Sequence, residues 1–311
     1  MIALALKFTL LYGMVLMLVA LGGMFSERSG IINIALEGIM VIGALIGVII
    51  TRELQGYAGF VQVSVSVLCA GLAGLAYAFL LAFASINLKA DQTIGGTALN
   101  ILATAIAMVI AKRVNSVGGK LSDSARLKYS YDAFVYKIFG VTVNVFLFIG
   151  IALLIISYIV LYKTKLGLRL RACGEHPQAA NSVGVNVLGM RYTGVLISGF
   201  LGGIGGFAYI LPSIDTWDFK NGIAGMGFLA LAVMIFGQWH PIKIFLAAMF
   251  FSIFKSLANI ADSVSFLAKL RWPKEIYNMM PFIASIVVLT LTSGKSRAPK
   301  AEGIPYEKGQ R

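Results

Sequence analysis

The chain has 311 residues, 59% of them apolar and only 13% charged; an ordinary soluble domain carries about a quarter charged residues, so water is excluded as its main solvent. Its formal charge of +13 is spread over loops and a tail rather than gathered into an aromatic-studded patch, which excludes a nucleic-acid surface. Cys69 lies in an apolar run and Cys173 in a polar one, at no metal or disulfide spacing.

The first apolar run, 3–24, has Lys7 as its one early cation and no small-residue cleavage site before the next run, so it reads as a retained span rather than a signal peptide. Further runs follow at 31–50, 58–86, 94–111, 143–162, 192–212, 223–238, 242–262 and 276–292. Runs of about 20 residues are long enough to cross a hydrocarbon core of about 30 Å as a helix, and the series reads as about nine spans, within a range of about eight to ten. The short alternating stretches of a barrel are absent. The expected fold is therefore all-α, a polytopic transmembrane bundle over 1–292. Glycines inside the runs, such as Gly71, Gly74, Gly199, Gly202 and Gly203, imply close helix packing.

Polar stretches at 112–142 and 163–191, and a basic Gly- and Pro-containing tail at 293–311, interrupt the pattern. The tail reads as a disordered end. An odd number of spans puts the N-terminus and the tail on opposite faces. Segment 163–191 and the tail then share one face, which their Lys and Arg nominate as cytoplasmic. Segment 112–142 is also cationic, so charge bias alone does not fix the orientation. Gly22-Gly23 with GIINIALEGIMVIGAL (30–45) is echoed by Gly202-Gly203, Gly205-Gly206 and GIAGMGFLALAVMIFG (222–237). In transporters such an echo marks inverted-repeat halves with a solute path between them; shared composition produces the same echo.

Several polar and aromatic residues inside the runs are candidates for the solute path. Glu37 and Asn33 fall on one helical face at i and i+4, either as a polar wall or with Glu37 bracing a broken helix. Thr97 and Asn100 form a polar notch suited to helix–helix hydrogen bonding. Lys255 and Asn259 share a face, and the cation either pairs with Glu37 or snorkels to an interface. Phe207, Tyr209, Trp217 and Phe228 could stack on a base, or belong to an aromatic belt. His176 and His240 have no metal-ligand companion.

The polar stretch KTKLGLRLRACGEHPQAANSVGVNV (163–187) predicts a short helix that opens at Pro177, continues over 178–183 and stops at Gly184. Small residues at Ala179, Ala180 and Ser182 suit a groove on a motor protein; a solvated loop near lipid head groups explains the cations equally.

Residues Arg171 to Ala180 with Gly184 resemble the cytoplasmic coupling segment of ABC permeases of the branched-chain amino acid and simple-sugar type, with its G-E-N-P-x-A-A pattern. His176 stands in place of the Asn, and either residue can cap the helix. Phe25 to Met40 is similar to the N-terminal signature of the nucleoside-type permeases of that family. Gly225 to Pro241 agrees with their late signature. The resemblance implies a type II-like importer permease in the cell membrane that moves nucleosides, with simple sugars such as ribose as the alternative cargo, and ahead of a passive channel or proton-coupled carrier. It implies that Gly174, Glu175, His176, Pro177, Ala179, Ala180 and Gly184 meet a cytoplasmic ABC ATPase. It also implies a second permease subunit, identical or homologous, and an extracellular solute-binding lipoprotein. The chain contains no G-x-x-x-x-G-K-[ST] loop, so ATP and Mg would be used by the partner; no enzyme activity and no cofactor are expected in this chain.

Overall fold

The computed structural model describes residues 2–116, 120, 122–138, 141–211, 215–260, 273–292 and 298–307. Its helices are Ile2–Arg28 (α1), Leu36–Glu53 (α2), Gly59–Ala82 (α3), Gln92–Val114 (α4), Val145–Lys163 (α5), Lys165–Glu175 (α6), Pro177–Ser182 (α7), Val187–Ile210 (α8), Met226–Phe236 (α9), Pro241–Ile260 (α10) and Lys274–Thr292 (α11). A π-helical turn, Phe83–Asn87, extends α3. Parts of the expected runs 192–212, 242–262 and of the tail fall outside the described residues.

Among the described residues, six helices are long and apolar enough to cross a membrane: α1, α3 with its π turn, α4, α5, α8 and α10. The chain is a polytopic helical membrane protein. Two expected runs differ from simple spans. Residues 31–33 have no regular structure, 34–35 form a turn, and only from Leu36 does α2 form, carrying Glu37 at its start and Arg52 and Glu53 at its end. Similarly, α9 has 11 residues, about 16 Å of helix and so roughly half a hydrocarbon core. The chain is helical as expected, with two short ladders besides. In the polar stretch, Arg126–Lys128 (β1) pairs antiparallel with Thr216–Asp218 (β4), and Val135–Ile138 (β2) with Val141–Asn144 (β3). Backbone between spans lies outside the region where only helices satisfy their own amides, so short ladders are permitted there.

The centre of the bundle is α8. It runs antiparallel to α1, with Gly194 against Ser29, Ser198 against Gly22 and Gly205 against Val19. On its other sides, Gly203 touches Gly43 of α2 and Gly74 of α3. A methyl group on Gly206 would lie 2.1 Å from the carbonyl oxygen of Met40, closer than real Cβ contacts allow. These glycines let backbones approach in a solvent that gives little hydrophobic drive for helix association. In turn, α1 packs on α8, α9 and α10, while α8 packs on α1, α2 and α3. Phe134, Phe146 and Phe207 interlock near the end of α8, with Phe207 edge-on to both other rings at 5.6 Å.

Candidate coupling face and solute path

The face where α1, α3 and α5 end and α8 and α10 begin is built around two short helices. Thr164, in extended backbone, accepts the Gly167 amide and so caps α6. A Cβ on Gly167 would sit 2.2 Å from the Val160 carbonyl oxygen, so the turn from α5 into α6 requires glycine. At His176 the backbone opens to φ −144°, and Pro177 starts α7. The His176 side chain makes no capping bond; its carbonyl accepts the Ala180 amide instead. This replaces the side-chain cap expected of His176. Gly184, at φ +83°, reverses the chain, and Asn186 caps α8 by accepting the Gly189 amide.

Gly174 is buried against α1, where a Cβ would lie 2.3 Å from the Arg28 carbonyl oxygen. Glu175 pairs with Arg28 at 3.7 Å, and Arg28 donates to the Trp239 carbonyl at 3.2 Å. The buried Glu27 accepts from the Trp239 indole N–H. The end of α6 is thereby tied to the end of α1 and the α9–α10 turn. In α7 and its flanking residues, Pro177 and Ala180 are buried, whereas His176, Gln178, Ala179, Ser182, Val183 and Gly184 are exposed. Val183 is 78% exposed, an apolar side chain on the outer surface of the face. Glu27 and Arg28 lie within the Phe25 to Met40 signature and Trp239 within the Gly225 to Pro241 signature, but neither signature told that the three meet at the end of α6; Val183 lies just past the small residues of α7, and nothing in the sequence singles it out.

The solute-path candidates separate into different environments. Asn33 precedes α2 rather than sharing a helical face with Glu37; it is buried and donates to Ser198 of α8 at 2.8 Å. Glu37 accepts the amides of Gly225 at 2.8 Å and Gly227 at 2.6 Å, at the start of α9. Asn100 accepts the Gly38 amide at 2.7 Å and donates to the Ile34 carbonyl at 2.9 Å, closing the start of α2. Gln92 accepts the Ile32 amide at 2.7 Å. Irregular backbone at membrane depth is thus satisfied by side chains from neighbouring helices. Thr97 does not join Asn100: it is exposed and bonds the Thr93 carbonyl of its own helix.

Phe207 is fully buried in the aromatic cluster, whereas the ring of Phe228 is 47% exposed beside the Glu37 cap. Tyr209 stands edge-on to Trp217, which donates to the Gly222 carbonyl. Asn259 is exposed and donates to the Tyr12 hydroxyl at 3.1 Å. Lys255 is buried in α10, and among the described residues no ion pair joins it to Glu37. His240 lies 5.2 Å from the Tyr162 ring, and its pKa is held below the ordinary value by burial and by Lys243 and Arg28. Among the described residues no group of His, Cys, Asp or Glu is arranged to hold a metal.

Residues 5–289 match the family described as branched-chain amino acid transport system / permease component. The guanosine ABC transporter permease protein NupQ of Bacillus subtilis is 41% identical over 97% of this chain and 96% of its own length. The nucleoside ABC transporter permease protein NupC of Lactococcus lactis subsp. cremoris is 38% identical over the same shares. A second protein from that Lactococcus, the nucleoside ABC transporter permease protein NupB, is 27% identical over 55% of this chain and 46% of its own. No solved structure matches the chain. With the apolar helices of the bundle and a match along nearly its whole length, this multi-pass membrane protein belongs to the permease-component family of branched-chain amino acid transport systems.

Proposed function

We propose that this chain is the membrane subunit of an ATP-driven ABC importer that moves nucleosides across the cell membrane, with hydrolysis supplied by a cytoplasmic ABC ATPase. The observation that carries the cargo is the 38–41% identity, end to end, to permeases named for nucleosides and guanosine. NupB and NupC, two permeases of one organism, resemble this chain to different degrees, which favours a homologous rather than identical second permease. An extracellular binding lipoprotein delivers the nucleoside.

In this reading the chain crosses the bilayer about nine times, with α2, α9 and α11 completing the six long spans. The segments α1–α4 and α8–α11 are inverted repeats joined by α5. Supporting the repeat, α1 packs on α9 and α10 as α8 packs on α2 and α3, and α1 and α8 run antiparallel at the centre. The broken spans also correspond: Gly30 and Gly222, each at the start of its echo, both have positive φ, +99° and +55°. The solute path lies where the broken spans meet. There the exposed ring of Phe228 is offered to a base, with Thr97 nearby in sequence to the α2 cap, while Asn33, Asn100 and Phe207 frame the wall through packing.

Gly174, Glu175, His176, Pro177, Ala179, Ala180 and Gly184 form the coupling segment on the cytoplasmic face. Val183 and Ala179 enter a groove of the ATPase; Gly174 and Glu175 pass its movement to α1 and the α9–α10 turn. A ligand shifts a conformational equilibrium only by its differential affinity for the two states, and the ATPase provides the rest. The test is uptake of labelled guanosine, uridine and ribose by cells with and without this gene. Gene-dependent uptake of the nucleosides is expected, and gene-dependent uptake of ribose alone would overturn the cargo.

A further inference from the structure

The coupling segment has a second support that comes from the other end of the chain. A short basic run with Gly and Pro predicts a disordered end, yet residues 298–307 are folded against the coupling face. The Ala301 amide donates to the Gly174 carbonyl at 2.8 Å, and the Gly303 amide to the Gly30 carbonyl at 3.2 Å. Pro299 is buried close to Gly174. Tyr306, 8% exposed, packs in a small apolar cluster with Cys173 of α6, Ala180 of α7 and Val187 of α8. The guanidinium of the buried Arg191 lies 5.9 Å from the Tyr306 ring, and Glu307 pairs with Lys89 in the α3–α4 turn.

This chemistry fits a strap rather than a loose end. The described piece, 298–307, carries Lys300 against Glu302 and Glu307, so the basic character of the tail does not extend to it. Pro299 and Pro305 restrict the free chain and so lower the entropy lost on docking. The strap also answers a mechanical need. A six-residue helix has no stability of its own, and α7 packs only on α6 and α8 among the described elements with substantial contact. Its buried residue Ala180 rests on the cluster that Tyr306 completes.

We propose that residues 298–307 are a strap that positions α6 and α7 against the bundle, with Tyr306 as a positioning residue, so that work done on α7 reaches the transmembrane helices instead of being lost in movement of α7 alone. The proposal rests on the coupling role given to α7 above. Because Tyr306 bears on Cys173 and Ala180 together, releasing it loosens both coupling helices. Because the strap also bonds Gly30 and Lys89, it joins α6 and α7 to the α1–α2 connection and the α3–α4 turn.

The structure supplies its own reporter, since Cys173 is buried in the apolar cluster that Tyr306 shares. The experiment uses the assembled importer in proteoliposomes, in a Cys69→Ala background, with Tyr306→Ala, Tyr306→Phe, truncation after residue 297, and Val183→Arg. Maleimide labelling of Cys173 reports docking of the strap. For Tyr306→Ala and the truncation, labelling is expected to accelerate about ten-fold or more through local opening. In the same variants solute moved per ATP should fall by about ten-fold, with basal ATP hydrolysis retained and its rise on adding loaded binding protein lost. Tyr306→Phe keeps the ring and should match the parent in both assays. Should the truncated chain fail to assemble, Tyr306→Ala carries the decision. Unchanged Cys173 labelling, or fast labelling with a parental ratio of solute to ATP, overturns the strap. If Val183→Arg abolishes transport while the strap variants transport normally, the strap alone fails; if Val183→Arg transports normally, the coupling role of α7 fails and takes the strap with it.

Discussion

Glu37 accepts the amide of Gly227, 190 residues later in the chain, at 2.6 Å, so a side chain in the first turn of α2 caps the start of α9. The local chain offers α9 no cap of its own: Gly225 sits at φ +78° and has no side chain to accept a bond. A carboxylate at this place meets both the free amides and the positive end of the helix dipole.

This geometry predicts different outcomes for two substitutions. Glu37→Ala leaves the Gly225 and Gly227 amides without an acceptor, at about 1–3 kcal/mol for each buried group. The folded yield and the melting temperature of the solubilised complex should both fall. Glu37→Gln keeps a carbonyl acceptor and should keep most of that stability, with the KM for uptake close to the parent. A large rise in KM with unchanged melting temperature would instead make Glu37 a solute contact.

Asn100 does for α2 what Glu37 does for α9, with one side chain that both accepts from Gly38 and donates to Ile34. Asn100→Leu should lower the thermal stability measurably, since two buried backbone groups lose their partner at about 1–3 kcal/mol each. Thr97→Val, on the exposed side of α4 and bonded only within its own helix, should leave stability within about 0.5 kcal/mol of the parent. Equal effects of the two on the melting temperature would refute the distinction.

These two caps show what a sequence can and cannot carry. The apolar runs fix the transmembrane helices, because length and hydropathy are local properties; likewise Pro177 and Gly184 bound α7 where they were expected. The breaks at 31–35 and 222–225 are not local. They persist because Gln92, Asn100 and Glu37 reach them from elsewhere, and helical periodicity therefore placed Asn33 and Glu37 on one face when only Glu37 is helical. Phe207 and Phe228 look alike as aromatic residues in apolar runs, but one closes the core and the other is exposed, a difference decided by neighbours in space. The strap was equally hidden, since a short run with Pro and Gly has no periodicity to betray its docking.

Close packing of α8 makes a further contrast. A Cβ on Gly206 meets the Met40 carbonyl oxygen at 2.1 Å, whereas Gly95 has nothing within 4 Å. Gly206→Ala must push α2 from α8 and should sharply reduce folded protein in the membrane. Gly95→Ala should be neutral or stabilise α4 by up to about 1 kcal/mol. Both are read by fluorescence-detected size exclusion of tagged chains, and a well-folded Gly206→Ala protein would show that the helices can separate at little cost.

On the coupling face, charge placed on Val183 acts without disturbing the fold beneath. Val183 is exposed and Ala180 buried, so Val183→Arg should abolish solute uptake while membrane insertion and Cys173 protection stay parental. Glu175→Arg removes the partner of Arg28 and sets two cations side by side, so uptake should fall together with the stability of α6. Pull-down of the ATPase with each variant separates the two: loss of the partner is expected for Val183→Arg, and its undiminished capture with normal uptake would remove α7 from the coupling role.

Docking of the strap should depend on pH through Glu302. Its carboxyl lies outside the spans, and burial raises its pKa above the usual carboxylate value, although the neighbouring Glu27 side chain and the Arg28 guanidinium pull it back down. A raised value in the docked state means that the docked strap holds the proton more tightly than the free one. The stabilisation is therefore complete below the free carboxylate pKa and is lost as pH rises through the docked value. Cys173 labelling in the full chain, divided at each pH by labelling in the chain truncated after residue 297, cancels the titration of the thiol itself. That ratio should climb as pH rises above the free carboxylate range and then level off. Glu302→Gln cannot lose the proton and should flatten the curve; a curve of the same shape in Glu302→Gln would assign the dependence to another group.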